Sequence, residues 1–532
     1  MTDTRSRAPP ARRTLAICLI NPKFEPSYWG FDYALPLYPG DKRCTMITGA
    51  LPALAGLVPS GHEVVLLDEN VEPIDFEALR RFDVVGVTGM NVQKKRMREI
   101  LLNLHGHGAF VVVGGAYPSV DPAYFDGLCD ALFKGEAETT WPAFLDDYAA
   151  GRPTARVYAQ SEQTDMTRVP KPRYDLLQVS KYASGALQFS RGCPFQCEFC
   201  DIIVTFGRVP RMKLPEQVIE ELDDMRRAGF FSAMIVDDNF IGNKAAAKGL
   251  LRIIVPWQER HGYPLRLMTE ASINLADDAE LLELMYAANF RQVFIGIETP
   301  REASLRETKK LQNLRGDSQE AKLARIRQAG IDISAGFIVG FDNDDKAIFE
   351  EHYRFIQDNG ITLAMVGMLQ AVPTTPLYDR LKVAGRLVES DDNLNIVPAQ
   401  MTREELREGY WNLVRRLYAP EAFLERYFRG SRYPEYHRRR AEISRKANEG
   451  KLLPTLVYGL LLLWSLFWAL LRDGSLTRVG AVYARYFVRV NRRYRKDVVG
   501  FAQFMNRCVT HWHFYRFTRE AIAGRLRLYN SG

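Results

Sequence analysis

The segment Arg191-Gly192-Cys193-Pro194-Phe195-Gln196-Cys197-Glu198-Phe199-Cys200-Asp201-Ile202 follows directly on a short apolar run at Ala186–Ser190. Three of the chain's seven cysteines fall in these eight residues, 193 to 200, and the other four (Cys18, Cys44, Cys129 and Cys508) are scattered singly. Three thiolates spaced by three and then two residues can wrap one corner of a cubane iron–sulfur cluster. Three ligands leave one iron without a protein ligand, open to a small molecule that chelates through an amine and a carboxylate. Structural zinc is the main rival, but it wants four ligands, and no His or fourth Cys lies near the loop.

Outward from this loop, the chain reads as alternating strands and helices. Strands are expected at Ala186–Ser190, Ala233–Val236, Leu265–Thr269, Gln292–Ile297, Ile333–Val339 and Leu363–Leu369, with helical stretches such as Pro215–Ala228 between them. Six strands with intervening helices suggest a partial (β/α)6 barrel over 186–390, whose reactive groups gather at the carboxyl ends of the strands. Upstream, short apolar runs at Leu15–Ile20, Glu63–Leu67, Asp83–Val87, Phe110–Val113 and Ala131–Phe133 have the continuous character of strands buried on both faces. Residues 15–150 therefore read as a doubly wound, Rossmann-like α/β domain, with a linker over 151–185. Its strand ends carry Asn91, Gly114, Gly115, Gly135 and Glu136, where a flat ligand could approach the backbone. Taken one at a time, those glycines are better read as tight strand-to-helix turns. Residues 1–14 read as a disordered leader, and 391–532 as a helical C-terminal domain.

Composition sets the outer limits. The 532 residues are 47% hydrophobic and 25% charged, which suits several globular domains. A net charge of +7 with no arginine-rich, aromatic-interleaved arm gives no reason to expect a nucleic-acid partner. Few and unpaired cysteines favour a reducing compartment, so the cytoplasm is the expected location.

A CxxxCxxC with an aromatic just before the last Cys, opening an incomplete barrel, resembles the radical S-adenosylmethionine superfamily. That resemblance spans roughly residues 185–380 and implies a [4Fe–4S] cluster on Cys193, Cys197 and Cys200, with S-adenosylmethionine on the open iron. It implies one-electron cleavage of the cosubstrate to a 5′-deoxyadenosyl radical that abstracts hydrogen, with electrons from an external one-electron reductant. It also implies cofactor contacts from the strand ends carrying Asp237 and Asp238, Glu270 and Ser272, Gly296 and Glu298, and Gly336 and Gly340. Each carboxylate could instead cap a helix or pair with a cation. No general acid or base is assigned. Arg208, Arg211 and Lys213, just after the loop, could offset cluster charge or simply be solvated.

Many members of that superfamily carry a cobalamin-binding domain where residues 15–150 lie, and the strand ends at Gly114-Gly115 and Gly135-Glu136 are similar to those domains. No Asp-x-His-x-x-Gly is present; the corresponding turn reads Met90-Asn91-Val92-Gln93-Lys94-Lys95. Cobalamin is therefore expected without a protein imidazole on cobalt. At closer range the chain resembles a subgroup that includes the hopanoid C-2 methylase and carries an extra helical C-terminal domain. The implied reaction is methylation of an unactivated carbon on a small apolar or lipid substrate. Two rivals stay open: an oxidative or ring-forming enzyme acting on a tetrapyrrole, and a non-catalytic corrin or redox sensor.

Leu452–Leu471 is twenty residues without a charge, long enough to span a bilayer. Downstream, Arg472–Gly532 holds thirteen Lys/Arg against three Asp/Glu, a net of +10, and the upstream flank is basic too. A single span would carry one basic flank outward, against the positive-inside tendency. A buried or interfacial helix is favoured, which makes 452–532 a candidate for peripheral contact with the inner face of the membrane.

Overall fold

The structure is a computed structural model and describes residues 13–388, 394–447, 452–493 and 498–526. Most of the leader expected at 1–14, and the domain boundary expected at 390/391, lie outside the described residues. The chain forms two compact units. One comprises the residues up to Phe24 with Thr48–Gln178; the other comprises Glu25–Ile47 with Val179 onward. Residues 25–47 thus leave the domain expected over 15–150. The C-terminal helices cluster with the barrel rather than apart from it.

Along the chain come β1 (Ala16–Asn21), β2 (Cys44–Met46), β3 (Glu63–Asp68), β4 (Val84–Thr88), β5 (Phe110–Gly114), β6 (Ala131–Lys134) and β7 (Val157–Ala159). All but β2 form one parallel sheet in the order β3-β1-β4-β5-β6-β7. Every residue of β4, Val-Val-Gly-Val-Thr, is buried, as expected of a strand covered on both faces. Two apolar cores flank the sheet, one around Val85, Val113 and Ile100 and the other around Ile17, Phe144 and Leu145.

The second unit holds β8 (Tyr182–Leu187), a two-residue ribbon of β9 (Ser190–Arg191) and β10 (Arg211–Met212), and then β11 (Ser232–Ile235), β12 (Arg266–Ala271), β13 (Phe290–Glu298), β14 (Asp332–Val339) and β15 (Leu363–Met368). Its main sheet runs β15-β14-β13-β12-β11-β8-β2, parallel throughout. The six expected barrel strands all form, and β2 adds a seventh at the edge beside β8. Three residues are too short an apolar run to announce a strand, and β7 was hidden for the same reason.

Alternation along these strands separates two faces. Val293, Ile295, Ile297, Ile333 and Ala335 are essentially inaccessible and pack outward. Met268, Glu270, Phe294, Gly296, Gly336 and Met365 are partly open and line the concave face. Helices follow as the sequence suggests, with caps such as Asn243, Asp278 and the Thr402/Glu405 capping box. Beyond residue 400 lie helices at Arg403–Leu417, Pro420–Gly430, Pro434–Lys446, Leu452–Arg472, Ala481–Arg493 and Val498–Ile522.

Candidate active site

The cysteine loop leaves the carboxyl end of β8 and is held from several directions. Asp237, just beyond β11, is buried; its Oδ1 accepts from the backbone N–H of Phe189 (2.7 Å) and Ser190 (2.9 Å), and its Oδ2 from Ser190 Oγ (2.7 Å). Burial pushes its pKa up to about 7, against the pull of those Ser190 and Phe189 bonds. Asp238 accepts from the Gly192 N–H (2.8 Å). Gly192 has φ +97°, and a side chain there would press on the Gly207 and Val209 carbonyls, so this turn requires glycine. On the far side, buried Glu198 pairs with Arg380 (2.7 Å), which also holds Asp342 (2.5 Å). Both expected ligand-binding aspartates therefore hold the loop by its backbone.

Polar and cationic side chains of Asn239, Gln312 and Lys310 also surround the sulfurs. Asn239 Nδ2 lies 3.8 Å from Cys193 Sγ and 3.2 Å from Ser272 Oγ, while Gln312 Nε2 donates to Cys197 Sγ at 3.5 Å. Lys310 Nζ is 2.7 Å from Glu298 Oε1. Burial alone would weaken the lysine's hold on its proton, but Glu298 and the Cys197 and Cys200 sulfurs outweigh it and raise the pKa above the ordinary lysine value. Burial pushes the Cys200 thiol up to about 12, so a thiolate there needs a bound metal to offset its desolvation. Among the described residues no three Cys, His, Asp or Glu side chains converge on a single ion. A cubane takes three thiolates on three different irons, which the Cys193, Cys197 and Cys200 spacing allows. The donor set fits the cluster.

Glu298 sits at a register shift where β13 leaves β14, with φ +64°. That conformation is uncommon for a residue with a side chain. It folds the carboxylate back over Gly296, where a Cβ would lie 2.3 Å from Glu298 Oε1 and 2.8 Å from Lys310 Nζ. Glu270 projects from the neighbouring strand, its pKa raised to about 7 by burial and by Asp238, Asp237 and Glu298, with Lys310 opposing. The space beside Gly336 is taken by the Phe294 ring (3.0 Å), and Gly340, at φ +108°, turns the chain against Leu406 while its N–H meets Asp344.

In the first unit, Gly115 (φ +108°) approaches the Gly89 backbone so closely that a Cβ would lie 2.9 Å from its nitrogen. Gly135, at φ +82°, donates to Ser119 Oγ (2.8 Å), and Gly114 packs on Phe133. Asn91 opens a short helical turn between Met90 and Val92, which stand 49% and 40% exposed at the strand ends. Gln93 is buried beneath them, bonded to Asn21 (2.9 Å) and so to Asp68. A glycine-lined shelf with two exposed apolar side chains suits a flat macrocycle. Glu136 accepts from the Thr164 N–H (2.6 Å).

Comparison with known proteins agrees with this geometry. Residues 187–356 match the radical SAM superfamily, 46–145 a B12 binding domain, and 375–525 a domain of unknown function, DUF4070. An uncharacterised methyltransferase of Synechocystis sp. is 40% identical over 77% of this chain and 77% of its own. The chain belongs to the cobalamin-dependent radical S-adenosylmethionine methyltransferases. The hopanoid C-2 methylase of Rhodopseudomonas palustris is 37% identical to this methyltransferase, over 77% of this chain and 78% of its own. In fold, it is similar to the cobalamin-dependent radical enzyme OxsB, with a TM-score of 0.60 and 16% identity over 96% of this chain and 80% of that one. The cofactors of this methyltransferase are the [4Fe–4S] cluster, S-adenosylmethionine and cobalamin.

The three cysteines, Asp238, Glu270, Ser272, Gly296 and Glu298 come together at one end of its barrel. Lys310 and Gln312, absent from the sequence expectation, join them from the loop after Thr308. Of the basic trio after the loop, Lys213 pairs with buried Glu221, and Arg211 donates to the Phe206 carbonyl (3.3 Å).

Proposed function

We propose that this methyltransferase acts on an unactivated carbon of an apolar, hopanoid-like lipid at the inner face of an anionic membrane, with an external one-electron reductant. The observation that carries the substrate class is the concave barrel face, where Met234, Met268, Phe294, Ile338 and Met365 are partly open beside the cysteine loop. Apolar side chains with few fixed polar groups suit a hydrocarbon skeleton. When bound, the cluster with S-adenosylmethionine supplies hydrogen abstraction, and cobalamin supplies the methyl group. Cys193, Cys197 and Cys200 hold the cluster, and Asp237 and Asp238 fix their loop. Lys310 is placed to take the carboxylate of S-adenosylmethionine, with Glu298 orienting the ammonium of that lysine. Glu270, Ser272 and Asn239 are placed for the amine end. In the first unit Asn91, Gly114, Gly115 and Gly135, with Met90 and Val92, form the corrin shelf.

The membrane reading rests on the helix Leu452–Arg472. It is the one helix among the described residues long and apolar enough to cross a bilayer. Leu462, Leu466 and Leu470 are buried, and Gly459 meets Phe501 and Ala502 of the terminal helix at close range. The outer stripe of Leu453, Val457, Leu460, Trp464, Phe467 and Leu471 is exposed. An uncharged outer face on a helix held along one side suits in-plane docking, with the basic flanks facing anionic lipid. The test is reconstituted enzyme given trideuteromethyl S-adenosylmethionine, reductant and the hopanoid hydrocarbon diploptene. Label in the recovered hydrocarbon is expected; 5′-deoxyadenosine without label in product would return the reading to other radical chemistry.

A further inference from the structure

After Phe24 the chain leaves the first unit for an excursion, Glu25–Ile47, and this strap belongs to the barrel unit. It is fastened at both ends. At one, β2 pairs with β8, with Cys44 opposite Tyr182 and Met46 opposite Ser184. At the other, Tyr28 packs among aromatic rings, its centroid 5.8 Å from Tyr418, 5.7 Å from Phe514 and 4.3 Å from Phe517. The inaccessible His513 clamps the strap backbone twice: Nδ1 accepts from the Tyr33 N–H (3.3 Å), so Nε2 carries the proton and donates to the Tyr28 carbonyl (3.2 Å). Tyr38 donates to Asn506 (2.6 Å), and the Arg516 guanidinium lies 4.6 Å from the Tyr33 ring centre. The partners at this second fastening all lie in the stretch that matches the domain of unknown function.

Between the two fastenings sits Trp29. Its ring meets Phe294 of β13 edge-on, centroids 5.4 Å apart, yet the residue is 49% exposed. Phe294 itself stands on the concave face, its ring laid over Gly336. An exposed indole set edge-on against a partly open phenyl on the concave face is surface left for a ligand; two rings placed only to fill the core would be closed over. Indole and phenyl faces present large, stiff apolar area at little entropic cost, the property wanted against a rigid ring skeleton.

We infer that Trp29 and Phe294 form a wall of the substrate chamber that grips an apolar ring system, and that the C-terminal helices serve to hold Trp29 in place through the strap. This rests on the apolar-substrate reading above and names the residues that read the substrate.

The test uses the full chain reconstituted with iron, sulfide and hydroxocobalamin, and measures spin-column retention of radiolabelled diploptene and, separately, of protoporphyrin IX. Trp29→Ala is expected to weaken diploptene retention at least tenfold and Trp29→Phe less than threefold, with cluster absorbance reporting an intact barrel. Tyr28→Ala, which frees the strap, is expected to match Trp29→Ala. Trp464→Ala, on the exposed apolar helix, separates chamber from surface: retention lost there and kept in Trp29→Ala overturns the inference. So does failure of wild type to retain either probe. Trp29-dependent retention of protoporphyrin alone leaves the wall standing and removes the lipid assignment. Trp29-dependent retention of diploptene without methyl label in it leaves the wall and removes the proposed reaction.

Discussion

Replacing Asp237 isolates what holds the cysteine loop to the barrel. The carboxylate accepts three bonds, two of them from the backbone N–H groups of Phe189 and Ser190, both residues buried. In Asp237→Ala those two donors lose their acceptor, at about 1–3 kcal/mol each. Water entering the vacated space recovers part of this, leaving a net cost of roughly 2–4 kcal/mol, or about thirtyfold to a thousandfold in loop opening. Asp237→Asn keeps an oxygen for both backbone donors, and its amide can donate to Ser190 Oγ once that hydroxyl turns. The assay is release of iron from the reconstituted enzyme to a ferrous chelator at pH 8. The Ala variant should release iron at least about thirtyfold faster, on the lower figure above, and the Asn variant within a few-fold of wild type. Equal release from Ala and wild type, or equally fast release from Asn and Ala, would refute the clamp. The pH dependence has a definite sign. A folded-state pKa of about 7 against an ordinary 3.8 means the folded chain binds the proton more tightly. Asp237 therefore contributes a stability loss that grows as pH rises from about 4 to 7 and then levels off. Asp237→Asn should remove that contribution from the denaturation profile.

Lys310→Met removes the cation beside Glu298 and the thiolates, and should weaken S-adenosylmethionine binding by about tenfold or more, read by equilibrium dialysis of reconstituted protein. Unchanged affinity would assign Lys310 to the Glu298 pair alone. Trp464→Glu, placed mid-stripe, should abolish flotation with vesicles of phosphatidylglycerol and phosphatidylethanolamine; persistent flotation would move the membrane contact elsewhere. Gly360 has φ +59°, and a Cβ there would lie 2.3 Å from the Gly430 nitrogen, so Gly360→Ala should loosen the helix Pro420–Gly430, seen as faster proteolysis of the C-terminal helices. Cys197→Ala should abolish cluster absorbance while hydroxocobalamin still binds.

What could be read in advance follows from distance along the chain. Cys193, Cys197 and Cys200 are close neighbours, so their spacing alone displays a ligand set. The barrel strands announce themselves through apolar runs long enough to be buried. Lys310 and Gln312 are invisible by the same measure, because each meets Cys197 or Glu298 only after the loop beyond β13 folds back, and an isolated Lys or Gln carries no pattern. The direction of a carboxylate is equally hidden. Asp237 and Glu136 stand at strand ends, where ligand contact was the natural expectation; Asp237 accepts from the Phe189 and Ser190 N–H groups and Glu136 from the Thr164 N–H. The strap was missed because its strand has three residues and its aromatic partners in the C-terminal helical region lie more than 380 positions away, as Tyr28 and Tyr418 do.

β2 has a consequence for how this chain is made. Cys44 must wait for Tyr182, 138 residues further on, before its strand has an edge to join. At about 5–20 residues per second, that is roughly 7–28 seconds of synthesis. Thr48–Gln178, which completes the first unit begun by the residues up to Phe24, is made within that interval. An expression boundary drawn at residue 180, natural for isolating the barrel, would deliver a sheet with one bare edge and no Trp29. Such a fragment should associate through that edge, and supplying residues 25–47 as a separate peptide should restore it to a monomer.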